Sequence, residues 1–189
     1  MKLTNHSNQS MDRVKDRIRF LHTYQIKDQE TLRLILEGDP VSFVNVRHPF
    51  ERLVSGYLMA KKHQDYIEKT FEQFVLQDVL EKVKTTKDRL SFREMNSHFR
   101  PSNTYCAFCN IKYGVVSKME NFNEDKERVM EILGVEDKQA GQRLNINGGQ
   151  TIKNLTRELF KNISENYKAA LFNIYKYDFL MFDYDAELK

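Results

Sequence analysis

Three residues on one short stretch have the types and spacing of an anion site. Arg47 ends a run of apolar and β-branched residues, and Arg52 and Ser55 follow within two helical turns. A guanidinium and a hydroxyl both donate to phosphate oxygens. A helix starting after Arg47 would add free N–H groups and a positive end, which attract anions. The plainer alternative is an ordinary strand–helix turn with a solvated Arg and a surface Ser. A second group of reactive types lies near mid-chain, where His98 sits among turn formers and Cys106-x-x-Cys109 follows. Imidazole titrates near neutrality and suits a general base. Glu94 and Glu120 compete for that role, and a solvated structural His is the alternative. The Cys pair fits half a zinc site, a redox pair, a disulfide or two buried thiols. No second CxxC or HxxxH completes a zinc site, and the loop-rich flank lacks the strand and helix of a thioredoxin-like motif. A local disulfide or two buried thiols is the expectation.

The elements that must position these groups are legible from periodicity. Val41 to Val46, bounded by Gly38-Asp39-Pro40, reads as a buried strand. Pro49 suits the first turn of a helix, where its missing N–H costs nothing. Phe50, Leu53, Val54, Tyr57 and Leu58 then form one apolar stripe, ending near Lys61-Lys62-His63. Residues 1–10 read as disordered. Helices are predicted over Met11 to His22, Asp28 to Glu37, Thr70 to Val83, Asp125 to Leu133, from Leu155 to Leu159 and over Ile163 to Phe182. Asn110 to Lys118 alternates as a strand, and Asn96 to Cys109 reads as a long irregular loop of the kind that often carries function. Tyr177 to Tyr184 is strongly apolar and is expected to dock on the core.

Composition excludes several classes. The chain has 189 residues, suited to one domain. A net charge of +3 without a dense Lys/Arg stripe fits an anionic ligand and does not call for nucleic acid. No apolar run approaches the ~20 residues that span a bilayer, and the N-terminus has no signal-peptide core. Sequons at Asn5, Asn8, Asn154 and Asn162 are compatible with the secretory pathway.

Arg47-His48-Pro49-Phe50-Glu51-Arg52-Leu53-Val54-Ser55-Gly56-Tyr57 closely resembles the 3′-phosphate-binding motif of Golgi carbohydrate sulfotransferases, nearest the chondroitin/dermatan 4-O-sulfotransferase branch. His98-x-x-Pro101, Cys106-x-x-Cys109, Ile111-x-Tyr113 and Lys118-x-Glu120 recur there in order, and Asn173 to Tyr184 resembles the C-terminal signature. The resemblance runs from about residue 24 to residue 184. It implies an α/β fold, a short parallel sheet flanked by helices, similar to the nucleotide-kinase-like sulfotransferase fold. It implies transfer of sulfuryl from 3′-phosphoadenosine 5′-phosphosulfate (PAPS) to a hydroxyl of a glycosaminoglycan or N-glycan acceptor, without a metal. Residues Arg47, His48, Pro49, Phe50, Glu51, Arg52, Leu53, Val54 and Ser55 would form the cofactor site, with Arg47 and Ser55 touching the 3′-phosphate. His98 would lie near the acceptor as the catalytic candidate, and the cysteines would be structural.

His48 departs from the Asp that many members carry. Residues 1–46 also hold no Lys- and Gly-containing loop of the sort that cradles the 5′-phosphosulfate in the family. The expectation is therefore a single, N-terminally incomplete domain over residues 1–189, which does not transfer sulfuryl unaided. The family is luminal in the Golgi and anchored by an N-terminal segment not present here. The rival reading is a non-catalytic member that binds nucleotide or glycan only. A small nucleotide kinase is a further rival, opposed by the missing P-loop.

Overall fold

The computed structural model describes residues 43–62, 66–84, 92, 95–106, 108, 112–134 and 151–187. The helices predicted before Val41, the disorder predicted over residues 1–10, Glu94 and Cys109 lie outside the described residues.

Strands β1 (Phe43–Val46) and β2 (Val115–Lys118) pair in parallel, Phe43 opposite Val115 and Val46 opposite Lys118. Parallel neighbours need a crossover connection, and the helical segment between them supplies it. The pleat alternates as expected: Ser117 is buried and Val116 is exposed. The predicted strand over Asn110 to Lys118 is shorter in the structure, where residues 112–114 are not extended into the ladder.

Helix α1 (Pro49–Ala60) starts on Pro49 and buries Phe50, Leu53, Val54 and Tyr57, the stripe read from sequence. Helix α2 runs through three joined pieces, Phe71–Phe74, Val75–Leu80 and Glu81–Lys84, the middle one π-helical. Thr70 and Gln73 form a reciprocal capping box at its start, which satisfies two backbone donors. A short α3 (Ser102–Tyr105) interrupts the irregular loop. After β2, the tight turn Met119–Asn121 feeds straight into α4 (Phe122–Leu133), so that helix begins earlier than the predicted Asp125. Gly134 ends it at φ 60°, a left-handed conformation that costs glycine nothing. Helices α5 (Ile152–Lys161) and α6 (Glu165–Met181) are capped by Thr151 and Ser164.

The core is largely aromatic. Phe50 packs on Phe160 at 4.6 Å and on Phe179 at 4.9 Å, and Phe74 meets Phe99 at 5.1 Å. Such pairs add about 0.5–1.5 kcal/mol each beyond their buried area. The C-terminal tail docks only in part. Phe179 and Phe182 are buried, but Tyr177, Leu180 and Met181 are 51%, 65% and 45% exposed. The helix continues through this segment, so its 3.6-residue period turns part of the apolar run outward.

Tyr175 is buried in this core, and its hydroxyl donates to the Phe99 carbonyl at 2.6 Å. Tyr175→Phe keeps the volume and leaves a buried acceptor unpaired, so it is expected to cost about 1–3 kcal/mol. Urea denaturation should show a lower midpoint with an unchanged slope; an unchanged midpoint would contradict the role given to this bond.

Candidate functional site

Arg47 leaves the end of β1 and Ser55 lies on α1. The Arg47 Nε is buried and makes no hydrogen bond among the described residues. The nearest carboxylate, Glu51 Oε2, lies 3.5 Å away, one helical turn on. Glu51 is buried in the first turn of α1, where the helix end favours negative charge. It balances Arg47 without occupying the Nε–H, and it competes with an incoming anion. Ser55 is half-buried, and its hydroxyl makes no hydrogen bond among the described residues.

The remaining residues of the motif hold this pair in place. Pro49, Phe50, Leu53 and Val54 are buried packing groups. The His48 backbone N–H donates to Glu120 Oε1 at 2.9 Å. The His48 Nε2 lies 3.0 Å from the Asp185 carbonyl, which can only accept, so Nε2 carries the proton. Its ring meets Phe50, Phe179 and Tyr184 edge-on at 5.9, 5.5 and 5.4 Å. His48 thus fastens the strand–helix turn to the C-terminal tail. Arg52, expected in the cofactor site, uses both terminal nitrogens elsewhere. Nη1 donates to the Arg100 carbonyl and Nη2 to the Ser97 carbonyl at 2.8 Å.

Those two bonds are half of a clamp on the His98 loop. Gly56 permits the close approach: a Cβ there would lie 3.2 Å from the His98 carbonyl oxygen. On the other side, Tyr175 holds Phe99. Asp178, 2% exposed, accepts from the backbone N–H groups of Ser102 at 2.6 Å and Asn103 at 2.7 Å. The loop backbone is therefore fixed from α1 and from α6, while the His98 side chain is exposed. The His98 backbone rests on Gly56, the residue next to Ser55. The loop that carries His98 thus packs its backbone on α1 at the residue after Ser55.

Glu120, the competing base, is already committed. One oxygen takes the His48 N–H and the other the Tyr184 hydroxyl at 2.9 Å. Burial first, then Glu120, pushes the Tyr184 hydroxyl well above the ordinary phenol range. Cys106 is a free, half-buried thiol. Burial raises its pKa, with Arg52 opposing, so it stays protonated and is a poor nucleophile. The Tyr113 hydroxyl donates to the Cys106 carbonyl at 2.7 Å. Among the described residues no group of three His, Cys, Asp or Glu side chains is placed to hold a metal ion.

The sequence pattern places Asp178 and Tyr175 on a helix without marking either as a polar contact to the loop. The signal was present: Leu171, Tyr175, Asp178 and Phe182 share one helical face, and an acid on an apolar face needs a partner.

Among known proteins, the Sulfotransferase family model matches residues 1–185. Carbohydrate sulfotransferase 11 of Mus musculus and that of Rattus norvegicus are each 28% identical to the chain, over 77% of its length and 47% of theirs. Carbohydrate sulfotransferase 11 of Danio rerio is 26% identical over 90% of the chain and 53% of its own length. The chain spans about half the length of these curated relatives. No solved structure matches it.

Asp178 also gives a pH signature. Burial raises its carboxyl pKa above 3.8, with the two amide bonds and Arg52 opposing. The folded state then keeps a proton that the unfolded chain has released. Stability from this group is full below the unfolded value and is lost as pH rises through the folded one. Asp178→Asn removes that dependence. The stability of the native chain minus that of the variant, from urea melts at stepped pH, should shrink as pH climbs from about 4 to about 7. A difference that grows with pH would contradict the assignment.

Proposed function

Because the chain belongs to the sulfotransferase family, we propose that it forms the part of a carbohydrate sulfotransferase that holds the 3′-phosphate of PAPS and presents a sugar hydroxyl for sulfation. One observation carries this reading: a buried guanidinium N–H with no hydrogen bond among the described residues, at Arg47, on the strand–helix turn that leads to Ser55. Leaving a buried donor unpaired costs about 1–3 kcal/mol, a cost that an anion accepting from it would relieve. The residues present therefore fit a phosphate group.

PAPS supplies an activated sulfuryl group, and the chain's own residues do the rest. Arg47 neutralises the 3′-phosphate and Ser55 donates to it, anchoring the non-reacting end of the nucleotide. His98 accepts the proton of the acceptor hydroxyl at an imidazole nitrogen as the oxygen bonds to sulfur and the sulfur–phosphate oxygen bond breaks. The products are a sulfate ester and 3′,5′-bisphosphoadenosine. In this reading the clamp, which fixes the loop backbone on either side of His98, would limit the positions open to the imidazole and so reduce the entropic part of the barrier.

The relatives are named as carbohydrate enzymes, which supports a glycan acceptor, either glycosaminoglycan-like or an N-glycan. The reading carries with it a nucleotide-kinase-like arrangement and a single domain over residues 1–189; the parallel pairing of β1 with β2 supports the first. A Golgi luminal setting goes with this reading. Among the described residues no helix is long and apolar enough to cross a membrane.

Two measurements test the proposal. Arg47→Ala should weaken binding of 3′,5′-bisphosphoadenosine by about 1.5–3 kcal/mol in calorimetric titration, the contribution of a charge-assisted hydrogen bond. Equal affinities in two folded proteins would sink the phosphate assignment. For the acceptor side, labelled sulfuryl transfer to desulfated chondroitin by the full-length protein should fall about 10²–10⁴-fold in His98→Ala while bisphosphate affinity is kept. Undiminished transfer would remove His98 from the reaction.

A further inference from the structure

A cavity of about 570 Å³ opens between α5 and α6, away from the His98 loop. Its size falls in the range of small-ligand sites. The floor is apolar, made by Phe50, Phe160 and Phe172, and Arg157, Lys161 and Lys168 stand around it. Arg157 and Lys161 are four apart on α5 and so lie on one face, about 5–6 Å apart at Cβ. The Arg157 Nε is buried without a hydrogen-bond partner among the described residues, and its Nη1 reaches Asn154 Oδ1 only at 3.4 Å. Lys168 pairs with Glu165 at 2.7 Å, but Glu165 is 87% exposed, so that pair is weak and readily exchanged. Glu187 is the second acid on the wall, which leaves the lining with an excess of cations.

This lining selects among anions. Phe50 and Phe160 are 4% and 3% exposed and already packed on each other, so neither offers an open face to a nucleobase. The cations are spread along one helix and across to the next, and match charge dispersed over a chain better than the compact charge of a phosphate. Phe50 lies on α1, so the cavity shares a wall with the helix that carries Ser55. We propose that this cavity is a subsite for an acidic saccharide, in which Arg157 and Lys161 take the carboxylate or sulfate groups of the acceptor. The inference rests on the carbohydrate sulfotransferase reading and assigns it a second contact, separate from the transfer site.

The test is titration of the full chain with a desulfated chondroitin hexasaccharide, with maltohexaose as the neutral control and 3′,5′-bisphosphoadenosine as a separate ligand. The chondroitin oligosaccharide should bind, and more weakly as salt rises. Arg157→Gln/Lys161→Gln should weaken it about tenfold, the loss of two partly exposed charge contacts. Bisphosphate affinity should not change. Lys161→Glu, at an exposed position that does not threaten folding, should act in the same direction. Unchanged oligosaccharide affinity in both variants would overturn the subsite, as would equal binding of maltohexaose. A loss of bisphosphate affinity instead would make the cavity a nucleotide site and overturn the proposal. If Arg47→Ala leaves bisphosphate binding intact, the phosphate reading fails separately from this one.

Discussion

The fold depends on how an irregular loop is held between two helices. Arg52 reaches from α1 to two loop carbonyls, and Tyr175 and Asp178 reach from α6 to one more carbonyl and two amides. Each of these groups is polar and largely out of water, so each bond satisfies a group that would otherwise be costly to bury. Removing one partner strands the other, which makes the set cooperative in effect. The loop between Met95 and Cys106 has little regular structure of its own, and this clamp substitutes for it. Met95 and Phe99 then fill the aromatic core from the loop side.

The same economy shapes the strand–helix turn. Most of the motif residues are packing or fastening groups, and among the described residues neither the Arg47 Nε–H nor the Ser55 hydroxyl makes a hydrogen bond. Glu51 and Glu120 illustrate how an acid near a basic site can be structural. One balances the guanidinium and the other ties the His48 amide to the Tyr184 hydroxyl. A carboxylate with both oxygens engaged is poorly placed to take a proton from a substrate.

The strand, α1 and the long C-terminal helix were legible because each has a strong period bounded by Pro, Gly or a capping residue. The roles of Arg52 and Asp178 were not. Arg52 shares a helix face with Ser55 in the sequence pattern, but its length lets the guanidinium cross to a distant loop, and periodicity carries no information about that reach. Asp178 sits on an apolar face, and only the fold brings the Ser102 and Asn103 amides to it. The start of α4 was misread because a tight turn and a helix join without a break, a boundary that residue preference does not mark.

A crystal structure of the protein with 3′,5′-bisphosphoadenosine bound is the direct test of the phosphate site. The 3′-phosphate should lie within hydrogen-bond distance of the Arg47 Nε and the Ser55 Oγ, with Arg52 still bonded to the Ser97 and Arg100 carbonyls. A 3′-phosphate held by Arg52, or seated among Arg157, Lys161 and Lys168, would contradict it.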